Sequence, residues 1–358
     1  MSKATAVPLS VRAQEVVVGV LARLPASLRA RMAGREVVED GAALAVDARL
    51  LIRSLGGRKS ALVVGDSPEL SRAALDRAAP MLRAGRRPSP AVVTSEVVVR
   101  GGEGPLEATP YVPASGGGRS GALVFFHGGG WVIGSRAGYD HVCRHLAERT
   151  GHRVLSADYR LAPEHPFPAA VDDALAVFDD VVARAAEFGV DPERIVVGGD
   201  SAGATLAAVT ARRAAGRGAG PVPKGQWLLY PATDLAVRHP SRDRFGRGFL
   251  LTDDDIVWFQ DHYVPGGVDR TDPLVSVLYG PVAATTPPAH LVTAGFDPLR
   301  DEGERYAEKL RTAGVPVEAV READLPHGFL PFVHLGPRFG EAVAAGADAL
   351  RRMLDGPR

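Results

Sequence analysis

Three groups of residues in this sequence have types and spacings suited to acyl-transfer chemistry. The first is Gly199-Asp200-Ser201-Ala202-Gly203, a G-x-S-x-G pattern. A serine hydroxyl is a weak nucleophile until a neighbouring base takes its proton. On a sharp strand-to-helix turn its oxygen stands clear of the backbone, and glycines on either side leave room for the turn. The run RIVVGG (194–199) reads as a strand and the following ATLAAVTARR as a helix, so that context is present. The second group is His127-Gly128-Gly129-Gly130-Trp131, directly after the strand-like ALVFF. Such a run is expected roughly 0.02 times by chance in this composition. Its glycines let the backbone approach a ligand and aim N–H groups at it, and an oxyanion forming on a carbonyl needs such donors fixed in advance at about 3 Å. Ala202, the residue after the serine, adds another N–H.

The third group is defined by order along the chain. The serine needs a general base, and the base needs an orienting carboxylate. His239, His262, His290, His327 and His334 follow Ser201. His327, in LPHGF, stands just past the strand-like VPVEAV, where a loop can swing it toward the serine. For the acid, Asp297 comes immediately after AHLVTAG, with Asp234 in reserve. Asp301 and Glu302 fall inside the next helix, where first-turn carboxylates usually face the helix N-terminus and solvent.

The elements that must position these groups follow from periodicity. Within residues 1–88, AQEVVVGVLARL, GAALAVDARLLIRSL and PELSRAALDRAAPMLRAG have helix-like spacing, punctuated by Pro25, Gly56-Gly57 and Pro68. VVTSEVVVR (92–100) and EATPYVP (107–113) read as extended, and GGGRSG (116–121) as a turn. From GALVFF (121–126) onward, short apolar runs alternate with helical segments. That pattern predicts a mainly parallel sheet covered on both faces. The stretch 235–285 interrupts the alternation and holds TDDDIVWFQDHYV, a helix with Thr252 as its N-cap.

HGGGW (127–131), YRLAPEHPFPAA (159–170), GDSAG (199–203), DPLRDEG (297–303) and HGF (327–329), in that order, resemble the hormone-sensitive-lipase family of bacterial carboxylesterases, in its GDSAG branch. The resemblance spans about residues 92–355. It implies an α/β-hydrolase fold: a mostly parallel, eight-stranded mixed sheet flanked by helices, with a helical cap. Residues 1–88 would be an N-terminal cap segment and 89–358 the catalytic domain, with a cap insertion at about 235–285. It further implies Ser201 as nucleophile, His327 as base and Asp297 as acid. Gly129, Gly130 and Ala202 would form the oxyanion hole, with His127 and Gly128 supporting that loop. Trp131, Phe296 and Phe329 flank the three loops and are candidates to line a substrate pocket. The implied activity is hydrolysis of small carboxylic esters with short-to-medium acyl chains through an acyl-enzyme, with no metal or organic cofactor. An amidase or lactonase with the same triad, or a non-catalytic small-molecule binder on the same fold, are the alternatives.

Composition narrows the field. Lys+Arg and Asp+Glu both number 42, and this balance argues against nucleic acid as the main partner. The single cysteine, Cys143, cannot form an internal disulfide. No apolar run approaches the ~20 residues of a membrane span, and no cleavable leader is evident, so a cytoplasmic protein is expected. Self-association is left open, a homo-oligomer included. His141 and His145 lie four apart with Cys143 between them, but a zinc protease needs Glu where Val142 stands, so a surface helix is expected. Gly198 to Gly203 spaces like part of a P-loop but lacks the following Lys. Asp158, Glu164 and Asp200 are candidates for burial beside the site; if buried they need partners, for which Arg160 is a candidate.

Overall fold

The computed structural model describes residues 24–55, 60, 62–84, 86–114 and 120–356. All but the last residue of the helix expected at 13–24, the Gly56-Gly57 break and most of the 116–121 turn lie outside them. A small antiparallel hairpin opens the strands, β1 (Val38–Glu39) with β2 (Ala42–Ala43), turning through Asp40 and Gly41 at positive φ. The main sheet contains β3 (Val92–Thr94), β4 (Val97–Arg100), β5 (Pro105–Pro113), β6 (Ser120–Phe126), β7 (Arg153–Ala157), β8 (Val190–Asp200), β9 (Gly225–Leu229), β10 (Ala289–Phe296) and β11 (Val317–Pro326). Their order is β11-β10-β9-β8-β6-β7-β5, with β3 and β4 both paired to β5. Strands β6 to β11 run parallel, and β5 is antiparallel to its neighbours. Among the described residues, nine strand segments fill the expected eight positions of the sheet. The edge read as one run, VVTSEVVVR, breaks at Ser95-Glu96 into β3 and β4, which lie end to end along β5.

The helices are α1 (Ala26–Met32), α2 (Val46–Ser54), α3 (Pro68–Leu82), α4 (Asp140–Thr150), α5 (Ala169–Ala183), α6 (Ala202–Gly216), α7 (Pro240–Phe245), α8 (Asp253–Tyr263), α9 (Arg300–Thr312) and α10 (Pro337–Asp355). The period-2 alternation of the strands divides the core in two. Val124, Phe126, Val197, Leu228 and Leu291 face a layer that includes α5, α6 and α9. Leu123, Phe125, Val196, Trp227 and Val292 face α4 and α10. Both faces of the central strands are thus buried, which is why they read as near-continuous apolar runs. Within 235–285, α8 forms as expected: Thr252 and Asp255 make a reciprocal capping box at its start.

This topology brings the chemistry-bearing loops to one end of the sheet. HGGGW follows β6, Ser201 follows β8, Asp297 follows β10 and His327 follows β11, all at C-terminal ends of parallel strands. That is where open α/β sheets leave a crevice. Helix α3 is fastened over this end by Asp76, which accepts the Ser135 hydroxyl (3.2 Å), and chiefly by Arg72. Arg72 donates to the carbonyl oxygens of Val132 and Ala162 (2.7 Å each) and pairs with Glu164 (2.7 Å).

Candidate active site

Ser201 is the single residue between β8 and α6, at φ 52° and ψ −122°. A side-chain-bearing residue holds such a conformation at a cost of about 1–3 kcal/mol. Its flanking glycines are a packing requirement. A Cβ on Gly199 would lie 2.2 Å from the Phe126 carbonyl oxygen, and one on Gly203 2.0 Å from the same atom. The end of β6 therefore presses directly on the serine turn.

Asp297 and His327 arrive together because β10 and β11 are parallel neighbours with Phe296 opposite Pro326, so the next residue of each strand leaves the sheet side by side. His327 Nδ1 lies 2.8 Å from Asp297 Oδ2, and His327 Nε2 lies 3.0 Å from Ser201 Oγ. An ionised carboxylate only accepts, so the ring proton sits on Nδ1 and the Nε2 lone pair faces the serine hydroxyl. Asp297 is fully buried, and its other oxygen accepts the Leu299 N–H at 2.7 Å. The Tyr230 ring meets His327 edge-on, with centroids 4.8 Å apart.

The glycine loop passes beside the serine. Gly129, Gly130 and Trp131 all have positive φ. A Cβ on Gly130 would fall 2.3 Å from the Phe259 ring, and one on Gly129 2.1 Å from the Ile133 carbonyl oxygen. No described residue accepts a hydrogen bond from the N–H of Gly129, Gly130 or Ala202, and all three residues line the same cavity as Ser201 and His327. His127 lies buried beneath the loop. Its Nδ1–H donates to the Gly128 carbonyl (2.8 Å), its ring stacks on Tyr159 (4.5 Å), and its own carbonyl accepts the Tyr159 hydroxyl (2.8 Å).

The cavity measures about 360 Å³ and is mostly apolar. Leu75 and Leu82 from α3 face it with Phe332 and Leu335, and Leu235, Leu251, Ile256 and Phe259 line it from the 235–285 stretch. Trp131 lines it too, stacked on Tyr263 with centroids 4.2 Å apart. The other two pocket candidates do not line it. Phe296 packs against Phe245 and Phe249, and Phe329 against Tyr230, because strand-end aromatics here turn down into the core.

Several charged residues depart from expectation. Arg160 does not serve Asp200; it pairs with Asp173 (2.9 Å) and Glu103 (2.6 Å), while Asp158 pairs with Arg136 (2.9 Å). Asp200 is buried against the Gly128 N–H (2.9 Å) and the hydroxyls of Tyr139 (3.0 Å) and Tyr230 (3.3 Å). Burial raises its pKa to about 6, although those three donors pull the other way. Its neighbours tie the serine turn to the glycine loop, since one carboxylate next to Ser201 holds Gly128. Glu302 does not face solvent. It is buried in the cavity wall and accepts the N–H groups of Thr233 (2.7 Å) and Asp234 (3.1 Å). Burial, helped by Asp234 and Asp297, pushes its pKa well above the usual carboxylate range. Its spacing with Tyr306 and Leu310 on α9 was the available signal, since residues four apart share a helix face. Asp234, the reserve acid, does not reach His327; it pairs with His239 (2.8 Å). His262 is bonded to its own helix at the Trp258 carbonyl (2.8 Å), and His290 lies within β10.

Residues 123–331 match the α/β hydrolase fold family. The chain is 44% identical over 330 residues to the carboxylic ester hydrolase LipN of Mycobacterium tuberculosis, covering 90% of this chain and 86% of that protein. It is 38% identical over 233 residues to an ethyl acetate hydrolase of Pseudomonas putida, covering 65% of this chain and 73% of that one. Among solved structures, an ester hydrolase from the Lake Arreo metagenome, complexed with a bipyridine phosphonate derivative, superposes with a TM-score of 0.80 at 34% identity, covering 87% of this chain and 100% of the other. Sequence, sheet order and loop placement agree: the chain belongs to the α/β hydrolase fold family, in its hormone-sensitive-lipase-like group.

Proposed function

We propose that this protein is a carboxylesterase that cleaves small esters through a covalent acyl-serine, with Ser201 as nucleophile, His327 as general base and Asp297 as its orienting acid. The observation that carries the reading is the continuous hydrogen-bonded line Asp297–His327–Ser201, at 2.8 and 3.0 Å, in a cavity that also presents three free N–H groups. As Ser201 Oγ attacks the ester carbonyl, its proton passes to His327 Nε2. The carbonyl oxygen gains negative charge and is held by the N–H groups of Gly129, Gly130 and Ala202, worth roughly 3 kcal/mol of barrier for each donor. Asp297 fixes the imidazole tautomer and stabilises its charged form. His327 then protonates the leaving alcohol. Water, deprotonated by the same imidazole, releases the acid and restores the serine.

The described helices of the 1–88 segment and the 235–285 stretch act as a cap in this reading, because Leu75 and Leu82 from one and Leu251 and Phe259 from the other roof the cavity. An apolar cavity of about 360 Å³ suits short-to-medium acyl chains, and the named relatives that hydrolyse esters support the same class. Ser201→Ala is expected to lower p-nitrophenyl butyrate turnover by more than about 10⁴-fold with an unchanged circular dichroism spectrum. Wild-type turnover in that variant would end the proposal. Across a series of p-nitrophenyl esters, kcat/KM is expected to fall for long acyl chains.

A further inference from the structure

A second cavity, of about 370 Å³, shares two stretches of chain with the catalytic one. Met81 and Leu82 line the catalytic cavity and Arg83 the second; Phe332 and Leu335 line the first and His334 the second. The second differs sharply in chemistry. Four guanidinium groups, from Arg83, Arg86, Arg87 and Arg144, face two carboxylates, Asp140 and Glu148. Arg144 is bound to Asp140 through Nε at 3.0 Å, so that pair is largely self-compensating. Glu148 accepts the Ser89 hydroxyl at 3.0 Å. Arg83, Arg86 and Arg87 form no ion pair among the described residues, in a protein where most arginines with a nearby acid are paired.

The histidines of the cavity are also placed differently from expectation. Helix α4 does keep one face outward, with Glu148 and Arg149 exposed, but His141 and Cys143 are buried on its inner face. His334 stands against His145 and His141, with ring centroids 5.6 and 6.0 Å apart. His141 bonds the Pro331 carbonyl at 2.8 Å, whereas the buried Nε2 of His145 has no partner among the described residues. The rings are not arranged as a metal-ligand group. Burial and the nearby arginine charges hold His334 near pKa 3 and lower the other two, so all three are neutral around pH 7. A neutral imidazole still offers one N–H donor. Unpaired guanidinium groups with imidazole donors in a concave site match a tetrahedral oxyanion, whose oxygens accept several charge-assisted bonds at once.

We propose that this cavity binds the phosphate group of a small soluble phosphorylated compound, with Arg83 and Arg86 as principal contacts and His334 as a further donor. Its occupant would join Arg83 and Arg86 to α4, next to the helix that roofs the catalytic cavity. Neither Ser201 chemistry nor ester hydrolysis is needed for this site to exist, so its failure and the failure of the esterase reading are separate results. The test is thermal unfolding of the full chain in inorganic phosphate, pyrophosphate, glycerol phosphate or chloride at matched ionic strength. Each phosphate compound is expected to raise Tm saturably, by about 3 °C over chloride. The Arg83→Ala/Arg86→Ala double variant should lose that increment while keeping the wild-type Tm in chloride. Because Arg86 is exposed, Arg86→Glu serves as a second variant, expected to weaken phosphate binding about tenfold or more. Equal Tm in phosphate and chloride, or an increment that survives both variants, would overturn the proposal. So would binding to phosphatidylglycerol vesicles without any response to the soluble phosphates.

Discussion

Two buried aspartate–histidine pairs stand near the catalytic cavity, each at 2.8 Å, and they use opposite ring nitrogens. His327 gives Nδ1–H to Asp297 and turns Nε2 to the Ser201 hydroxyl. His239 gives Nε2–H to Asp234, and its Nδ1 is buried with no hydrogen-bond partner among the described residues. The carboxylates differ as well. Asp297 spends its second oxygen on one backbone N–H, at Leu299. Asp234 caps a turn, accepting the N–H groups of Ala236 (2.9 Å) and Val237 (3.0 Å), and also takes the Tyr279 hydroxyl (3.2 Å). A carboxylate–imidazole pair is therefore not itself a catalytic device. What separates the two is whether a strand end delivers a hydroxyl to the free nitrogen.

The largest expected difference between the pairs lies in turnover. Asp297→Asn keeps the shape but favours the wrong tautomer of His327, and kcat should drop about 10⁴-fold. Comparable losses from Asp297→Asn and Asp234→Asn would erase the distinction.

Asp200 sharpens the comparison from a third direction, as a buried carboxylate served by hydroxyls and an amide rather than by imidazole. Its folded pKa, about 6, lies above the ordinary 3.8, so the folded state binds the proton more tightly than the unfolded chain. Stability from this group is therefore fullest below pH 3.8 and is lost as pH rises toward 6, by about 3 kcal/mol in all. Asp200→Asn removes that titration. Urea unfolding at pH 4 and pH 7 should show the variant gaining on the wild type as pH rises; parallel pH profiles would refute the assignment. The smallest effect is expected at Asp234→Asn. Turnover should stay within about tenfold of wild type, while unfolding free energy falls by about 2 kcal/mol through the weakened turn and His239 contact. Urea unfolding and steady-state kinetics on one preparation separate the two.

The glycine loop and the serine turn are short local motifs; Asp297 and Ser201 lie 30 and 126 residues from His327, and their meeting was legible only because each follows a strand-like run and alternating strands and helices imply a parallel sheet that gathers such ends. The face choice of Glu302 was legible in principle from its spacing with Tyr306 and Leu310, but the first-turn position argued for solvent and misled. The partners of Asp200 were not legible. Tyr139 and Tyr230 reach it from positions 61 and 30 residues away, and nothing in the motif marks a tyrosine pair. Likewise Arg72 and Glu164, 92 residues apart, meet only because α3 folds over the sheet end. Phe296 and Phe329 flank the right loops in sequence, yet the direction in which a strand-end side chain turns is set by packing and not by adjacency.

Intact-mass analysis after treatment with a fluorophosphonate tests the central claim most directly. One adduct per chain, mapping to Ser201, absent from Ser201→Ala and formed far more slowly in Asp297→Asn, is the predicted result. An adduct on Ser201→Ala at the wild-type rate, or unmodified wild-type protein that still hydrolyses esters, would contradict it.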